Sequence, residues 1–369
     1  DWDDEVAEKG GHESFMLKEI HEQPRAVGET IARNLAVAPL HATHLGSIDL
    51  REVRRLVVVS CGTAYHAGLV GRYAVEEWAG VPCEVDIASE WRYRNPLIAE
   101  GTLVIGISQS GETADTLASL RLARLRGART LGITNSPGSQ ITREVDAVLS
   151  THAGLEMGVA ATKTFTSQVV LMNLLALRLA KVQGRMLDEQ IAAVLAELRA
   201  LPLKIAACLE HVDAVDEVAE RYHDRPFFLY LGRHAGLPVC LEGALKLKEI
   251  SYIPTEAYAA GEMKHGPIAL LDEKTPVVCV ATDSHVADKL LSNLEEVRAR
   301  GAEVIAVATA GDEAVGDVAE HVLEVPRTHP LLQPVLAVIP LQLLAYRIAC
   351  LRGLDVDQPR NLAKTVTVE

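Results

Sequence analysis

The chain has 369 residues, of which 49% are hydrophobic and 23% are charged, so we expect a folded protein with a sizeable core and not a disordered one. Its 36 basic and 50 acidic residues give a net charge of −14, which argues against nucleic-acid binding because such a surface repels phosphate backbones. The length exceeds one ordinary domain and fits two.

The chain opens with Asp1-Trp2-Asp3-Asp4, which is charged where a cleavable signal peptide would be apolar. The longest apolar stretches, 169–180 and 335–345, are shorter than a membrane span, and Pro340 interrupts the second. The six cysteines are scattered, without a zinc-type pair. We therefore expect a soluble cytoplasmic protein that has reduced thiols and no metal site.

Short apolar runs predict strands in each half of the chain. They lie at 56–60, 102–107 and 127–133 in one half and at 227–231, 276–281 and 301–307 in the other. The offset is 170 residues from Gly62 to Gly232 and 174 from Gly127 to Gly301. Such spacing indicates a duplicated domain and not a solenoid, whose period would be roughly 20–50 residues.

Helical periodicity alternates with these runs. Residues 114–126 bring Leu117, Leu120, Ala123 and Leu125 near one face, and residues 288–300 repeat this pattern. The alternation predicts an α/β fold with mainly parallel sheets flanked by helices in three-layer sandwiches. We expect one subdomain at 1–187, a second at 188–354 whose first part, 188–219, is rich in helix, and a tail at 355–369 that folds onto the surface or into a site.

Hydroxyl-bearing residues follow the run at 102–107. The segment Ser108-Gln109-Ser110-Gly111-Glu112-Thr113 precedes a predicted helix, whose free N–H groups suit a phosphate. The same hydroxyls are equally typical of an N-cap without a ligand. Cys61-Gly62-Thr63 also follows a strand, where ligands bind in open parallel sheets. We interpret Cys61 as a small buried residue and not as a nucleophile.

A helix is predicted over 240–252. Glu242, Lys246 and Glu249 recur at i, i+4 and i+7 and therefore share one face. An exposed salt-bridge ladder is the commoner interpretation of this pattern. In a cleft, the same residues would place a general base beside an ammonium, which suits proton transfer next to a carbonyl.

His265 lies in the segment Gly261–Pro267, which its glycines and proline predict to be a loop. Histidine exchanges protons near neutral pH, and loops often carry functional residues. A structural role for a single histidine remains the commoner case. The histidines form no metal-binding spacing.

Six strings together resemble the isomerase part of the glucosamine-6-phosphate synthase family, the glutamine–fructose-6-phosphate aminotransferases (isomerising). They are Cys61–Thr63, Ser108–Thr113, Glu156–Ala160, Ala244–Tyr252, Lys264–Pro267 and Pro359–Glu369. The resemblance covers essentially the whole chain. It implies two SIS (sugar isomerase) subdomains and conversion of fructose 6-phosphate and ammonia to glucosamine 6-phosphate without a cofactor. Without ammonia, it implies interconversion of fructose 6-phosphate and glucose 6-phosphate.

The family enzyme also has an N-terminal glutaminase part with a terminal cysteine. Here the chain opens at Asp1, and Asp1-Trp2-Asp3 resembles the inter-domain linker. We therefore expect an isomerase domain without the glutaminase part, which is its partner in the full-length enzyme. The resemblance further implies a homodimer with shared active sites.

The resemblance implies binding roles for matched residues. Those expected to hold the sugar phosphate are Ser108, Gln109, Ser110 and Thr113. Thr63 and the backbone near Ala160 would contact the sugar. Ala64 and Ala161 stand where the family pattern has serines; each loses a hydroxyl worth about 0.5–1.5 kcal/mol if it bonds a neutral group.

The resemblance also implies catalytic roles. Lys364 would form a Schiff base with the open-chain ketose, and Glu156 would be a supporting carboxylate. Glu249 would move the proton between C1 and C2, while Lys246 shuttles protons at the adjacent oxygens. His265 would assist ring opening from the neighbouring subunit.

Two other functions remain open at this point. One is a phosphosugar isomerase or deglycase without an ammonia step, and the Lys364 motif favours amination over it. The other is a SIS module that only senses a phosphosugar. The acidic charge and the combination of Glu249, His265 and Lys364 weigh against a sensor.

Overall fold

The computed structural model describes residues 9–368, so the opening Asp1-Trp2-Asp3-Asp4 and its resemblance to a linker lie outside the described residues. The chain divides into two compact units. The first-sheet unit comprises 25–156, 163–199 and 363–369, and the second-sheet unit comprises the residues up to Pro24 together with 157–162 and 200–362. Each unit contains one five-stranded sheet. The sequence boundaries at 187/188 and 354/355 stay a prediction.

The first-sheet unit is built on five parallel strands in the order β4-β3-β5-β6-β7. The strands are β3 Arg55–Ser60, β4 Cys83–Ile87, β5 Thr102–Ile107, β6 Arg129–Thr134 and β7 Ala147–Ser150, preceded by a two-residue pair, β1 His44–Leu45 and β2 Ile48–Asp49. Strand β5 is buried throughout, as expected for a strand covered on both faces. The runs predicted at 56–60, 102–107 and 127–133 are confirmed as strands within two residues at each end.

Helices flank this sheet. They are α2 Gln23–Val37, α3 Thr63–Ala74, α4 Ala88–Trp91, α5 Ala114–Leu125, α6 Gln140–Glu144 and α7 Lys163–Val182, with a π-helical turn at Val75–Ala79. Helix α1 Phe15–His21 precedes them along the chain and belongs to the second-sheet unit. Helix α5 buries Leu117, Leu120 and Ala123 against the sheet, as predicted. Leu125 was wrongly placed on that face. It is the last residue of the helix and is 85% exposed.

The second-sheet unit repeats the arrangement with the order β12-β11-β10-β8-β9, again all parallel. Its strands are β8 Phe228–Gly232, β9 Thr255–Ala259, β10 Val277–Ala281, β11 Val304–Thr309 and β12 His321–Val325. Its helices are α9 Val212–Tyr222, α10 Gly236–Ser251, α11 Ala287–Arg298, α12 Glu313–Gly316 and α13 Gln333–Leu351, and α8 Asp188–Glu210 begins in one unit and ends in the other. The predicted helix-rich stretch at 188–219 is confirmed.

The two sheets share one topology. Numbered within each unit, the strands lie in the order 2-1-3-4-5, so the direction of winding reverses between β3 and β5 in one sheet and between β8 and β10 in the other. This equality confirms the α/β fold and the duplication expected from the sequence. Ligands of open parallel sheets bind beside the strand ends at such a reversal, which here is where the loops after β3 and β5 begin.

Two helices are long and apolar enough to cross a membrane by length and composition, Lys163–Val182 and Gln333–Leu351. Each helix is longer than the apolar stretch predicted within it. The second runs through Pro340 without ending there. The most apolar windows of these helices are 89% and 83% buried inside the protein. They are therefore core helices. The stretches predicted at 169–180 and 335–345 cover only part of each.

Close packing around helix α10 yields a prediction about stability. A Cβ atom at Gly243 would lie 2.7 Å from Leu341 Cδ1 and 3.1 Å from Tyr230 Cε1. Gly243→Ala should therefore destabilise the protein by about 1–3 kcal/mol through overpacking, which urea denaturation would measure. Gly316→Ala is the control, since nothing lies within 4 Å of the Cβ it would add. Equal or greater stability of Gly243→Ala would contradict the packing described.

Candidate active site

The segment after strand β5 is a tight loop whose hydroxyl groups bond within it. Ser108, 3% exposed, lies with its Oγ 2.8 Å from Thr113 Oγ1 and accepts a hydrogen bond from Gly111 N at 3.0 Å. Ser110 Oγ accepts one from Glu112 N at 3.2 Å. These hydroxyls therefore bond amides inside the loop and not those of the following helix. The predicted side-chain N-cap of the helix is therefore absent, and the hydroxyls stabilise the loop instead.

The conformation of this loop depends on glycine. Gly111 has a φ of 67°, in the left-handed region, and a Cβ there would lie 2.1 Å from Ser139 Oγ. The neighbouring loop after β6 braces the same segment, since Asn135 N donates to the Gln109 carbonyl at 3.0 Å. The backbone that presents Ser108, Gln109 and Ser110 is consequently held on two sides.

Helix α5 begins directly after this loop with an unusual partner at its first amide. Ala114 N donates to the carbonyl of Val366, a tail residue, at 3.2 Å. The N-cap residue Thr113 makes no side-chain capping bond, and Leu117 N makes the first intrahelical bond, to Thr113 O at 3.0 Å. First-turn N–H groups have no acceptor within their own helix, and together they favour an anion.

The tail also brings a lysine to a buried carboxylate in the first-sheet unit. Lys364 Nζ donates to Glu156 Oε2 at 2.7 Å. Glu156 is 3% exposed and accepts two further hydrogen bonds from Thr164, from its N at 3.2 Å and its Oγ1 at 2.8 Å. The carboxylate is therefore fixed, and the tail folds into a site as one of the two outcomes predicted for it.

Helix α10 of the second-sheet unit carries a buried charge cluster. Lys246 is fully buried and lies 3.4 Å from Glu242 Oε1 and 2.6 Å from Glu249 Oε2. Burial by itself disfavours the ammonium, but the two carboxylates outweigh it and raise the pKa of Lys246. Lys246 thus remains an ammonium at neutral pH. The exposed-ladder interpretation was wrong, because the charged face of this helix is the buried one.

Glu249 differs from Glu242 in its access to solvent. The Glu242 side chain is fully buried, whereas that of Glu249 is 21% exposed. One carboxylate therefore neutralises the ammonium inside the protein, and the other is partly accessible. Glu242 was not among the predicted site residues, although its spacing from Lys246 was the available signal.

His265 lies in an exposed segment of the second-sheet unit. The predicted loop is in fact two short 3-10 turns, Ala260–His265 and Pro267–Leu270, and His265 is exposed at the end of the first. Glycine at 266, with a φ of 151°, separates the two turns. In the part of the chain that the structure describes, no hydrogen bond or ion pair joins His265 to Glu249.

The remaining predicted residues lie at the start of helices or in buried backbone. Thr63 is the first residue of α3, directly after Gly62 with a φ of 57°, and is half-buried. Ala160 is buried. Burial, with a smaller contribution from Asp115, raises the pKa of the Cys61 thiol, which weakens any nucleophilic role.

The chain is similar to one family model and to several known proteins. The SIS domain model matches residues 49–178 and 225–352. A glutamine–fructose-6-phosphate aminotransferase [isomerizing] from Thermus thermophilus is 54% identical over 370 aligned positions, which span all of this chain and 61% of that protein. A counterpart from Streptomyces coelicolor is 50% identical, again across 61% of its length.

The chain is also similar to a solved structure of the C-terminal domain of such an enzyme. The C-terminal domain of glucosamine-fructose-6-phosphate aminotransferase from Francisella tularensis superposes with a TM-score of 0.90 at 42% identity, covering 95% of this chain and 100% of that one. Two SIS matches, one on each sheet, agree with the duplicated topology. The chain therefore belongs to the SIS domain family, in the branch formed by the C-terminal domains of the glutamine–fructose-6-phosphate aminotransferases.

Proposed function

We propose that this chain isomerises fructose 6-phosphate and, when ammonia is supplied, converts it to glucosamine 6-phosphate. The observation that carries the proposal is Lys364, a tail lysine held at 2.7 Å from the buried Glu156 in the unit that carries the hydroxyl-rich loop. An amine that can form an imine and a loop suited to a phosphate are the two features that a ketose phosphate requires. The names of the relatives support the same substrate.

The loop after β5 would bind the phosphate. Ser108, Ser110 and Thr113 supply hydroxyls that can turn to donate, Gln109 supplies an amide, and the first turn of α5 supplies N–H groups. Thr63, at the start of α3, and the backbone near Ala160 would contact the sugar. Such a loop would bind phosphate through amides and hydroxyls, without a basic side chain. A net charge of −14 is therefore compatible with a phosphorylated substrate.

Lys364 would react with the ketose carbonyl at C2. Attack by the neutral amine forms the C–N bond, and loss of water leaves an imine that makes the neighbouring proton acidic. The carboxylate of Glu156 forms an ion pair with Lys364 at 2.7 Å in the resting protein. Glu156 is also within reach to accept the proton that the lysine must lose before it attacks.

Glu249 would transfer the proton between C1 and C2. Its ion pair with Lys246 holds the carboxylate in place, and its partial exposure leaves it accessible to a substrate. Lys246, kept charged by Glu242 and Glu249, can donate hydrogen bonds to sugar oxygens as charge develops on them. His265 would open the sugar ring.

The ammonia would come from a glutaminase part. The chain spans about 61% of the length of its curated relatives, whose names include glutamine as a substrate. We infer a cytoplasmic location, since all six cysteines are free and four are buried, an arrangement suited to a reducing compartment.

The isolated chain should interconvert fructose 6-phosphate and glucose 6-phosphate, and it should form glucosamine 6-phosphate from added ammonia. It should not hydrolyse glutamine, because both of its domain matches are SIS domains, to which the proposal assigns the isomerase and amination steps. A coupled dehydrogenase assay and an ammonia-release assay would measure the two activities. Binding of the sugar phosphates without turnover would instead support a sensor.

Glu249→Gln should lower C1–C2 proton transfer by at least about 100-fold, the lower end of the effect of losing a general base. Glutamine keeps the shape of the side chain but cannot accept the proton. Solvent-deuterium incorporation into the sugar measures the step directly. Glu273→Gln is the matched control, since Glu273 is an exposed carboxylate. Normal exchange in the Glu249 variant would assign the base to another residue.

We further propose a homodimer in which His265 of one protomer serves the site that contains Glu249 of its partner. The exposure of His265, and the lack of a hydrogen bond between it and Glu249 among the described residues, support this arrangement. In such a dimer, His265 would act in the site of the partner and would not have to contact the carboxylate cluster of its own chain.

Mixing Glu249→Gln and His265→Ala proteins after dissociation and reassociation tests the shared site. Each mixed dimer would contain one doubly defective site and one intact site. Because random pairing makes half of the dimers mixed, about a quarter of wild-type activity should return. If both residues served one site from the same chain, activity would stay at the level of the single variants once mixed dimers are verified.

A further inference from the structure

We propose that Asp357 is a positioning residue that fixes the tail so that Lys364 reaches its reactive place. The proposal deepens the function proposed above and rests on it. Asp357 was not singled out from the sequence, because the matched tail motif begins only at Pro359. The structure gives it an anchoring role that its position in an irregular segment does not suggest.

The carboxylate of Asp357 caps helix α1, which lies 342 residues away in sequence. Its Oδ2 accepts from Phe15 N at 2.9 Å and its Oδ1 from Met16 N at 2.8 Å. The next amide, Leu17 N, is bonded by Ser14 Oγ at 3.1 Å. The tail thus satisfies two helix N-terminal donors with a negative charge, which the helix dipole favours.

The same short helix also holds the chain that leads out of Glu156. Glu19, on α1 and 2% exposed, accepts from the backbone N of Met157 and, at 3.3 Å, from that of Gly158. A Cβ on Gly158 would lie 2.9 Å from Glu19 Oε2, so a larger residue at this position would displace the Glu19 carboxylate. Segment 157–159 is therefore fixed to the helix that Asp357 caps.

The two segments are bonded to each other as well. Val159 N donates to the carbonyl of Asp357 at 3.1 Å. Helix α1, segment 157–159 and Asp357 therefore form a closed set of three contacts, which we call the α1 clamp. Glu156 precedes the clamp by one residue along the chain, and Lys364 follows it by seven.

A second contact shortens the free length of the tail. Arg360 N donates to Tyr252 Oη at 2.8 Å, and its guanidinium lies 4.2 Å from the centre of the Tyr252 ring. Only residues 361–363 separate this contact from Lys364. A chain this short has few conformations to lose, so the clamp and the Arg360–Tyr252 contact together restrict where the amine can go before the substrate arrives.

Asp357→Asn should slow imine formation and leave phosphate binding nearly unchanged. Asparagine keeps the size of the side chain but removes the charge and one of the two acceptors that the helix amides use. We expect the rate of borohydride trapping with saturating fructose 6-phosphate, read as labelled Lys364 by peptide mass spectrometry, to fall at least about tenfold. The Kd for inorganic phosphate, measured by calorimetry, should change less than about twofold, because the described part of the tail bonds only one first-turn amide of α5, Ala114 N, and the loop hydroxyls do not depend on it.

A second readout does not depend on activity. Hydrogen–deuterium exchange of residues 358–368 should be faster in Asp357→Asn, whereas the peptide that covers Gly236–Ser251 should be unchanged. Lys9→Ala is the matched control, because Lys9 Nζ lies 3.8 Å from Asp357 Oδ2 and takes no part in the clamp. It should behave as wild type. If Asp357→Asn does not fold, Glu19→Gln replaces it with the same two readouts.

The outcomes separate this inference from the proposed function. Unchanged trapping in Asp357→Asn, or faster exchange throughout the protein, would overturn the positioning role while the proposed function stands. If wild type itself gives no labelled Lys364, the proposed function fails. The exchange measurement then still decides whether Asp357 holds the tail.

Discussion

Burying a charged side chain costs several kcal/mol unless an opposite charge and hydrogen bonds compensate for it, and this constraint shapes each part of the candidate site. Lys246 is buried only because Glu242 and Glu249 accompany it. Glu156 is buried because Thr164 and Lys364 bond it. In each case the compensation leaves one member less buried than the rest, Glu249 in the first and Lys364 in the second. These are the two residues to which the proposed reaction assigns proton transfer and imine formation.

The duplicated topology explains where chemistry is placed and why the halves differ. Each sheet reverses its winding between its first and third strands, so two loops leave the same edge in each unit. In the first-sheet unit, those loops present hydroxyls and glycines. In the second, the loop after β8 begins with Arg233, whose guanidinium bonds Asn293, and the loop after β10 begins with Thr282-Asp283-Ser284, in which Asp283 pairs with Arg327. The fold is thus repeated, whereas the residues of these loops differ between the two units.

Much of the fold could be predicted because its strands are short, apolar and separated by periodic helices. The strands at 102–107 and 277–281 were recognisable from β-branched runs alone. Burial of the Glu242–Lys246–Glu249 face was not predictable from spacing, since an exposed ladder has the same spacing. Helix α13 was underestimated because a proline within a helix usually predicts an interruption, whereas here the surrounding core keeps the helix continuous through Pro340.

The contacts of the tail were the least predictable part. Asp357 and Glu19 bond backbone amides that are distant in sequence, and backbone partners leave no trace in residue type. The resemblance identified Lys364 and Glu156 by their motifs, but it did not show that the two side chains form an ion pair. Only the folded chain shows the ion pair of Lys364 with Glu156 and the backbone contacts that anchor the tail.

The most direct test of this account is a crystal structure of the protein with fructose 6-phosphate trapped by borohydride. The account predicts continuous density from Lys364 Nζ to C2 of the sugar and the phosphate in the loop Ser108–Thr113. It also predicts a carboxylate oxygen of Glu249 in contact with C1 or C2. Density for the sugar on another lysine, or a phosphate bound away from that loop, would contradict it.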